Sequence, residues 1–140
     1  MKRIIEKIKE ISSFLEEVEN IIPDNYEDYL QDLTKKAACE RYFEKIVEAT
    51  VDLSFILIKE FKFEIPDNDK GSFQILQKQS VINHDLSKRL ADAKGMRNLL
   101  AHEYGEINDQ VIFHSLKNEL ITDINAYLNQ VSAFIKRRKI

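Results

Sequence analysis

The chain has no tryptophan, one cysteine, two prolines and three glycines in 140 residues, and each scarcity removes possibilities. With only Gly71, Gly95 and Gly105 available, neither a glycine-rich phosphate loop nor a nucleophile elbow can be assembled. The lone Cys39 excludes an internal disulfide framework and fits a reducing compartment; set in a helical stretch without a motif, it reads as core filler. His84, His102 and His114 offer no i, i+4 pair that could grip a metal, so neither a metal nor a cofactor is expected. No apolar run is long enough to cross a bilayer, and MKRIIEKIKEI carries charges where a signal peptide needs an apolar core. A soluble chain acting in the cytoplasm, with no membrane association, is expected. The formal net charge of -3 exerts no general pull on nucleic acid, so any RNA site has to be a local positive patch on an acidic body.

What is present is helical. Hydrophobic residues make up 44% and charged residues 32%, with few breakers, over a length that suits one domain spanning 1–140. Ile4, Ile8, Ile11, Leu15, Val18 and Ile22 step by 4, 3, 4, 3 and 4, a narrow apolar seam on a charged helix that Pro23 ends. Asp24 and Asn25 can cap a short second piece, and Thr34 either opens another helix or continues that one. From Ala37 to Phe61 the chain is apolar on several sides, the mark of a buried central helix. Along it Glu44, Glu48 and Asp52 form an acidic row, which is either a solvated edge or a row that faces Arg97 and sets its orientation. EIPDNDKG, 64–71, reads as a loop, Ser72 to Val81 as a short helix with Phe73 and Leu76 inward, and Asn83 or His84 as the start of another. Gly105 and Asn108 mark a further break. Asp109 to Arg138 then carries a last seam, Phe113, Leu116, Leu120, Ile124, Tyr127, Val131 and Phe134. The expected fold is all-α, a bundle of about five helices with one long central apolar helix and a long C-terminal helix. Its basic tail, Lys136 to Lys139, reads as solvated cations at a helix C-terminus. The two outer seams and the stripe described next offer more apolar face than one bundle needs, so a homodimer is expected.

One stretch departs from this pattern. Leu86, Leu90, Ala93 and Leu100 lie on one inward stripe, and Arg97 falls in its middle, where a guanidinium is costly unless paired. Arg97, Asn98, His102, Glu103 and Tyr104 crowd into eight residues of KGMRNLLAHEYG. The plain reading is a helix end, with His102 favouring the dipole, Gly105 terminating and Tyr104 packing. The sharper reading is a site. An imidazole titrates near neutrality and can move protons to and from the 2'-oxygen or the leaving 5'-oxygen of a phosphodiester. A guanidinium can hold the phosphate as negative charge builds, and Asn98 can orient either group. Geometry sets a condition: five residues of continuous helix rotate by about 140°, so Arg97 and His102 converge only at a bend or helix end, or through a second copy.

RNLLAHEY resembles the Arg-x4-6-His signature of HEPN domains, in the Arg-x4-His-x-Tyr form of the HepT toxins of prokaryotic type VII toxin–antitoxin pairs. The likeness runs from about Glu40 to Val131 and includes RYFEKIVEATVDLSFILI, GSFQILQKQSVI and KRLADAKGMRNLLAHEY. It implies an all-α HEPN-type bundle, a homodimer that brings two motifs into one cleft, and metal-independent ribonuclease activity on transfer or messenger RNA. Arg97 and His102 would be catalytic and Asn98 supporting. It further implies an antitoxin partner of the minimal nucleotidyltransferase class (MntA-like), able to form a higher assembly, that transfers AMP from ATP to Tyr104. A second class of function stays open: a non-catalytic module whose cleft holds a nucleotide or docks a nucleotidyltransferase.

Overall fold

The computed structural model describes residues 1–102 and 108–138, with His102 described by its backbone alone. Helix α1 spans Lys2–Ile21, α2 Tyr26–Gln31, α3 Leu33–Glu60, α4 Asp69–Lys78 and α5 His84–His102. A last helical rod comprises α6, Asp109–His114, a π-helical turn at Ser115–Leu120, and α7, Ile121–Arg138. The expected bundle is present, with α3 at its centre and α1, α4, α5 and the C-terminal rod laid against it.

Helices α2 to α5 each begin where a side chain satisfies an orphan amide. The carbonyl of Asn25 accepts from Asp28 N–H at 2.9 Å, Asp32 from Lys35 at 3.0 Å, Asn68 from Gly71 at 2.7 Å and Asn83 from Leu86 at 2.8 Å. Two of these shift the expected boundaries. Asp32, not Thr34 or Ala37, opens the central helix, and Asn68 starts α4 at Asp69, so Gly71 lies within a helix instead of a loop. A β-carbon at Gly71 would stand 3.1 Å from Pro66 Cβ, so the glycine lets the incoming loop lie close to the first turn. The C-terminal seam is also not one uninterrupted α-helix, because the π turn inserts a wider winding under Leu116 and Leu120.

The outer seams are consumed within one copy. Ile4, Ile11, Leu15 and Val18 are buried as α1 lies along α3, and Phe113, Leu116, Leu120, Ile124, Tyr127, Val131 and Phe134 are buried from the other side. Full burial of such a side chain contributes about 1.5–3 kcal/mol. The apolar surplus inferred from these seams is therefore absent: they build the bundle. Among the described residues, the large hydrophobics that stay exposed are Ile65, Leu33, Leu99, Ile5, Val111 and Leu30. Aromatic clusters lock both ends, with Tyr29 on Phe113 at 4.9 Å and Phe134 edge-on to Phe61 at 5.2 Å. The tail's Arg137 and Arg138 lie over Phe134, at 5.9 and 5.3 Å from the ring centre. Cys39 is fully buried, and burial pushes its thiol up to about 11, leaving it neutral and inert.

A polar knot fastens α7 to the middle of α3. Ser54 Oγ donates to the Thr50 carbonyl at 2.9 Å and meets the Tyr127 hydroxyl at 2.7 Å, all three residues being buried. Tyr127→Phe removes the hydroxyl's contact with Ser54 and its long hydrogen bond to the Thr50 carbonyl, at 3.4 Å, without opening a cavity. It is expected to lower stability by about 1 kcal/mol, read as a lower urea midpoint at unchanged m value. No loss of midpoint would mean that the knot contributes only shape.

Candidate active site on the fifth helix

Helix α5 is seated by Leu86, Leu90 and Leu100, all buried, with Ala93 partly covered. From Ala91 to Asn98 every residue except Asp92 is at least partly buried. A helix this enclosed is ordinarily apolar, yet this stretch contains Lys94 and Arg97.

Arg97 is placed as its periodicity requires, with only 18% of its side chain exposed. Its Nη2 donates to Glu48 Oε2 on α3 at 2.8 Å, and Nη1 reaches Asn98 Oδ1 at 3.5 Å. Its Nε is buried and has no hydrogen-bond partner among the described residues. The fork is thus engaged at one point by a carboxylate and left incomplete, although a guanidinium can grip a phosphate or carboxylate through two parallel bonds. Of the acidic row only Glu48 faces Arg97: Glu44 pairs with Arg41 at 3.0 Å and Asp52 with Lys7 at 3.8 Å. Burial holds the Asp52 carboxyl above its ordinary range, against the pull of Lys7 and with the neighbouring charge of Glu48 adding to it.

Sequence reasoning missed Lys94 as a structural cation. It is 8% exposed, and its ammonium pairs with Asp69 at 3.1 Å, joining the first turn of α4 to α5. A signal was available in its spacing, seven residues after the buried Ser87. Lys70 crosses the same spot, since a β-carbon on Gly95 would stand 3.4 Å from its Nζ. Below Arg97, Ala93 and Met96 flank a cavity of about 200 Å³ whose wall includes the Arg89–Asp123 pair at 3.2 Å.

His102 is the last residue of α5, so the helix runs unbroken from Arg97 to it. Position 102 consequently lies about 140° round the axis from position 97. A bend between the two, one of the ways they could converge, is not present. Tyr104 and Gly105 lie outside the described residues. The chain is fastened again immediately afterwards: Asn108 caps α6, and Asp109 pairs at 3.1 Å with Lys36, which also holds Glu40 at 2.8 Å.

An all-α bundle with Arg-x4-His closing a packed inner helix defines the HEPN class. The family model described as ribonuclease HepT-like matches residues 1–131, and the chain belongs to that family. It is similar to an mRNA nuclease HepT of Shewanella oneidensis, at 25% identity over 93% of this chain and 96% of that one. It is also similar to a tRNA nuclease HepT of Aphanizomenon flos-aquae, at 28% identity over 89% of this chain and 86% of the relative. A solved structure of a tri-AMPylated Shewanella oneidensis HEPN toxin in complex with an MNT antitoxin shares the fold. Its TM-score is 0.86 at 24% identity, covering 93% of this chain and 96% of that one.

Proposed function

We propose that this chain is the toxin of a type VII toxin–antitoxin pair, a metal-independent ribonuclease acting in the cytoplasm as one domain, 1–140. The observation that carries the reading is Arg97: a half-engaged guanidinium on the packed face of α5, five residues before the His102 that closes the helix. In the reaction the His102 imidazole takes the proton of a ribose 2'-hydroxyl. The 2'-oxygen attacks the adjacent phosphorus, the bond to the 5'-oxygen breaks, and that oxygen leaves with a proton returned by imidazolium. The products are a 2',3'-cyclic phosphate and a 5'-hydroxyl. Arg97 steadies the charge that accumulates on the phosphate, and Asn98 supports it. Both nuclease relatives and the family description support RNA as substrate, whether transfer or messenger RNA.

The unbroken helix between Arg97 and His102 favours a homodimer in which one copy's arginine serves the other's histidine. Among the exposed apolar residues, Leu99 on the motif helix and Leu30, Leu33 and Val111 are candidates to form it. The antitoxin is a minimal nucleotidyltransferase that transfers AMP to Tyr104, as the AMPylated relative and its MNT partner suggest.

Cleavage of an RNA substrate by the purified chain is expected to persist in excess chelator. It should peak around neutral pH, since the imidazole has to accept and return a proton. Cleavage that stops in chelator, or a rate that keeps rising into strong alkali, removes this mechanism. A chain that binds its nucleotidyltransferase tightly but never cuts RNA is a docking module instead.

A further inference from the structure

Between α1 and α3 runs a groove of about 380 Å³ lined by Arg3, Lys7, Asp52, Phe55, Ile56 and Lys59. Three cations face one carboxylate there, on a chain whose net charge is -3. Lys7 is engaged, with Glu10 at 3.0 Å and Asp52 at 3.8 Å. Arg3 and Lys59 are exposed and form no ion pair among the described residues. Phe55 and Ile56 are only partly covered, so an aromatic ring and an aliphatic chain remain at the groove's wall.

The position of this groove gives it meaning. Glu48, Asp52, Phe55 and Lys59 recur at helical spacing on one face of α3, and Glu48 is the residue that holds Arg97. From Glu48 to Lys59 the helix rises about 16 Å, the span of a handful of nucleotides. Of the two carboxylates on the way, Glu48 is matched to Arg97 and Asp52 shares Lys7 with Glu10, so the positive charge left for a ligand is that of Arg3 and Lys59.

We propose that this groove is the track along which single-stranded RNA reaches Arg97. Arg3, Lys7 and Lys59 take backbone phosphates, and Phe55 offers its ring to an unstacked base. A cationic channel with an aromatic platform is the usual way to hold a single strand without reading its sequence. The proposal rests on the ribonuclease reading for its purpose. It gives a chain of this charge a local cluster of cations at which to gather a polyanion.

The test measures binding, so that it does not depend on catalysis. A fluorescent single-stranded 2'-O-methyl RNA oligomer, which cannot be cut, is titrated with the full-length wild type and with Arg3→Gln/Lys59→Gln. The control is Lys2→Gln/Lys9→Gln, which removes the same charge from α1 outside the groove. The groove variant is expected to bind about tenfold more weakly at low salt. The slope of log affinity against log salt should fall by roughly 0.7 for each lost contact. The control should stay within about twofold of wild type. Equal binding by wild type and groove variant, or an equal loss in the control, overturns the proposal. So does a groove variant that binds RNA normally but no longer binds its nucleotidyltransferase, which would make the groove a protein-docking surface. If wild type fails to cut unmodified RNA, the ribonuclease reading falls, while the groove still stands or falls on the titration.

Discussion

Alanine at position 97 is expected to lower RNA cleavage by about two to three orders of magnitude and to abolish growth inhibition, with the fold intact. The loss follows from the chemistry of the transferred phosphate, whose negative charge grows in the transition state. The intact fold follows from Glu48. Its side chain is 54% exposed, so losing Arg97 strands no charge in a dry interior. His102→Ala should cost about two to four orders of magnitude through loss of proton transfer. Arg97→Lys separates charge from shape, since an ammonium keeps the charge but cannot form the two-bond fork. It should recover only part of the rate. Rates on an RNA substrate, together with thermal melts, decide the matter. A wild-type rate in His102→Ala removes the acid–base assignment. An unfolded Arg97→Ala would show instead that the Arg97–Glu48 pair is a structural ion pair that locks α5 to α3.

Tyr104→Phe is expected to keep most of the RNA cleavage and toxicity while escaping the antitoxin. A free phenol has an ordinary pKa near 10 and is a poor acid or base at neutral pH, yet it is a workable nucleophile once deprotonated. In the proposed transfer its oxygen would attack the α-phosphorus of ATP in the partner's active site, the bond to pyrophosphate would break, and the phenol proton would pass to a base of the partner. The adduct puts a bulky anion two residues beyond His102. Repulsion then opposes the RNA backbone, and the incomplete fork of Arg97 has a competing phosphate to hold. Intact-mass analysis after co-expression reads the outcome directly. No AMP-sized increase on wild type, or the same increase on Tyr104→Phe, takes the switch away from this residue.

Where apolar spacing alone decided, the sequence was readable. The α1 seam, the central helix, the C-terminal seam and the stripe of α5 all face inward, most of their residues buried and the rest partly covered, and Arg97 lies where the stripe places it. Boundaries depended on single caps: Asp32 and Asn68 look like loop residues until the amide each satisfies is known. Partnership was the harder problem. Glu44, Glu48 and Asp52 are equivalent on a helical wheel, and only the crossing of α5 over α3 selects Glu48 for Arg97. The spacing of Lys94 places it inward, but its partner was illegible for a related reason: a buried lysine needs a carboxylate from another element, and Asp69 arrives from a helix that reads as a loop. The seams misled in one respect. Their total apolar width was apparent, but not that α3, α5 and α2 together would cover most of it within a single copy.

The ion pair between Asp109 and Lys36 has a bearing on how such a switch would work. Five residues separate the end of α5 from the cap of α6, and both ends are tied to α3, one through Arg97 and Glu48, the other through Lys36. At no more than about 3.6 Å per residue, a group carried by Tyr104 cannot wander far from the helix end. The phosphate of the proposed adduct would be a tethered ligand, and a short tether gives an effective concentration on the order of millimolar. Free RNA at micromolar levels has to compete against that. The inhibitor therefore needs almost no intrinsic affinity for the cleft, and loosening the Lys36 anchor would weaken inhibition without touching the modified tyrosine.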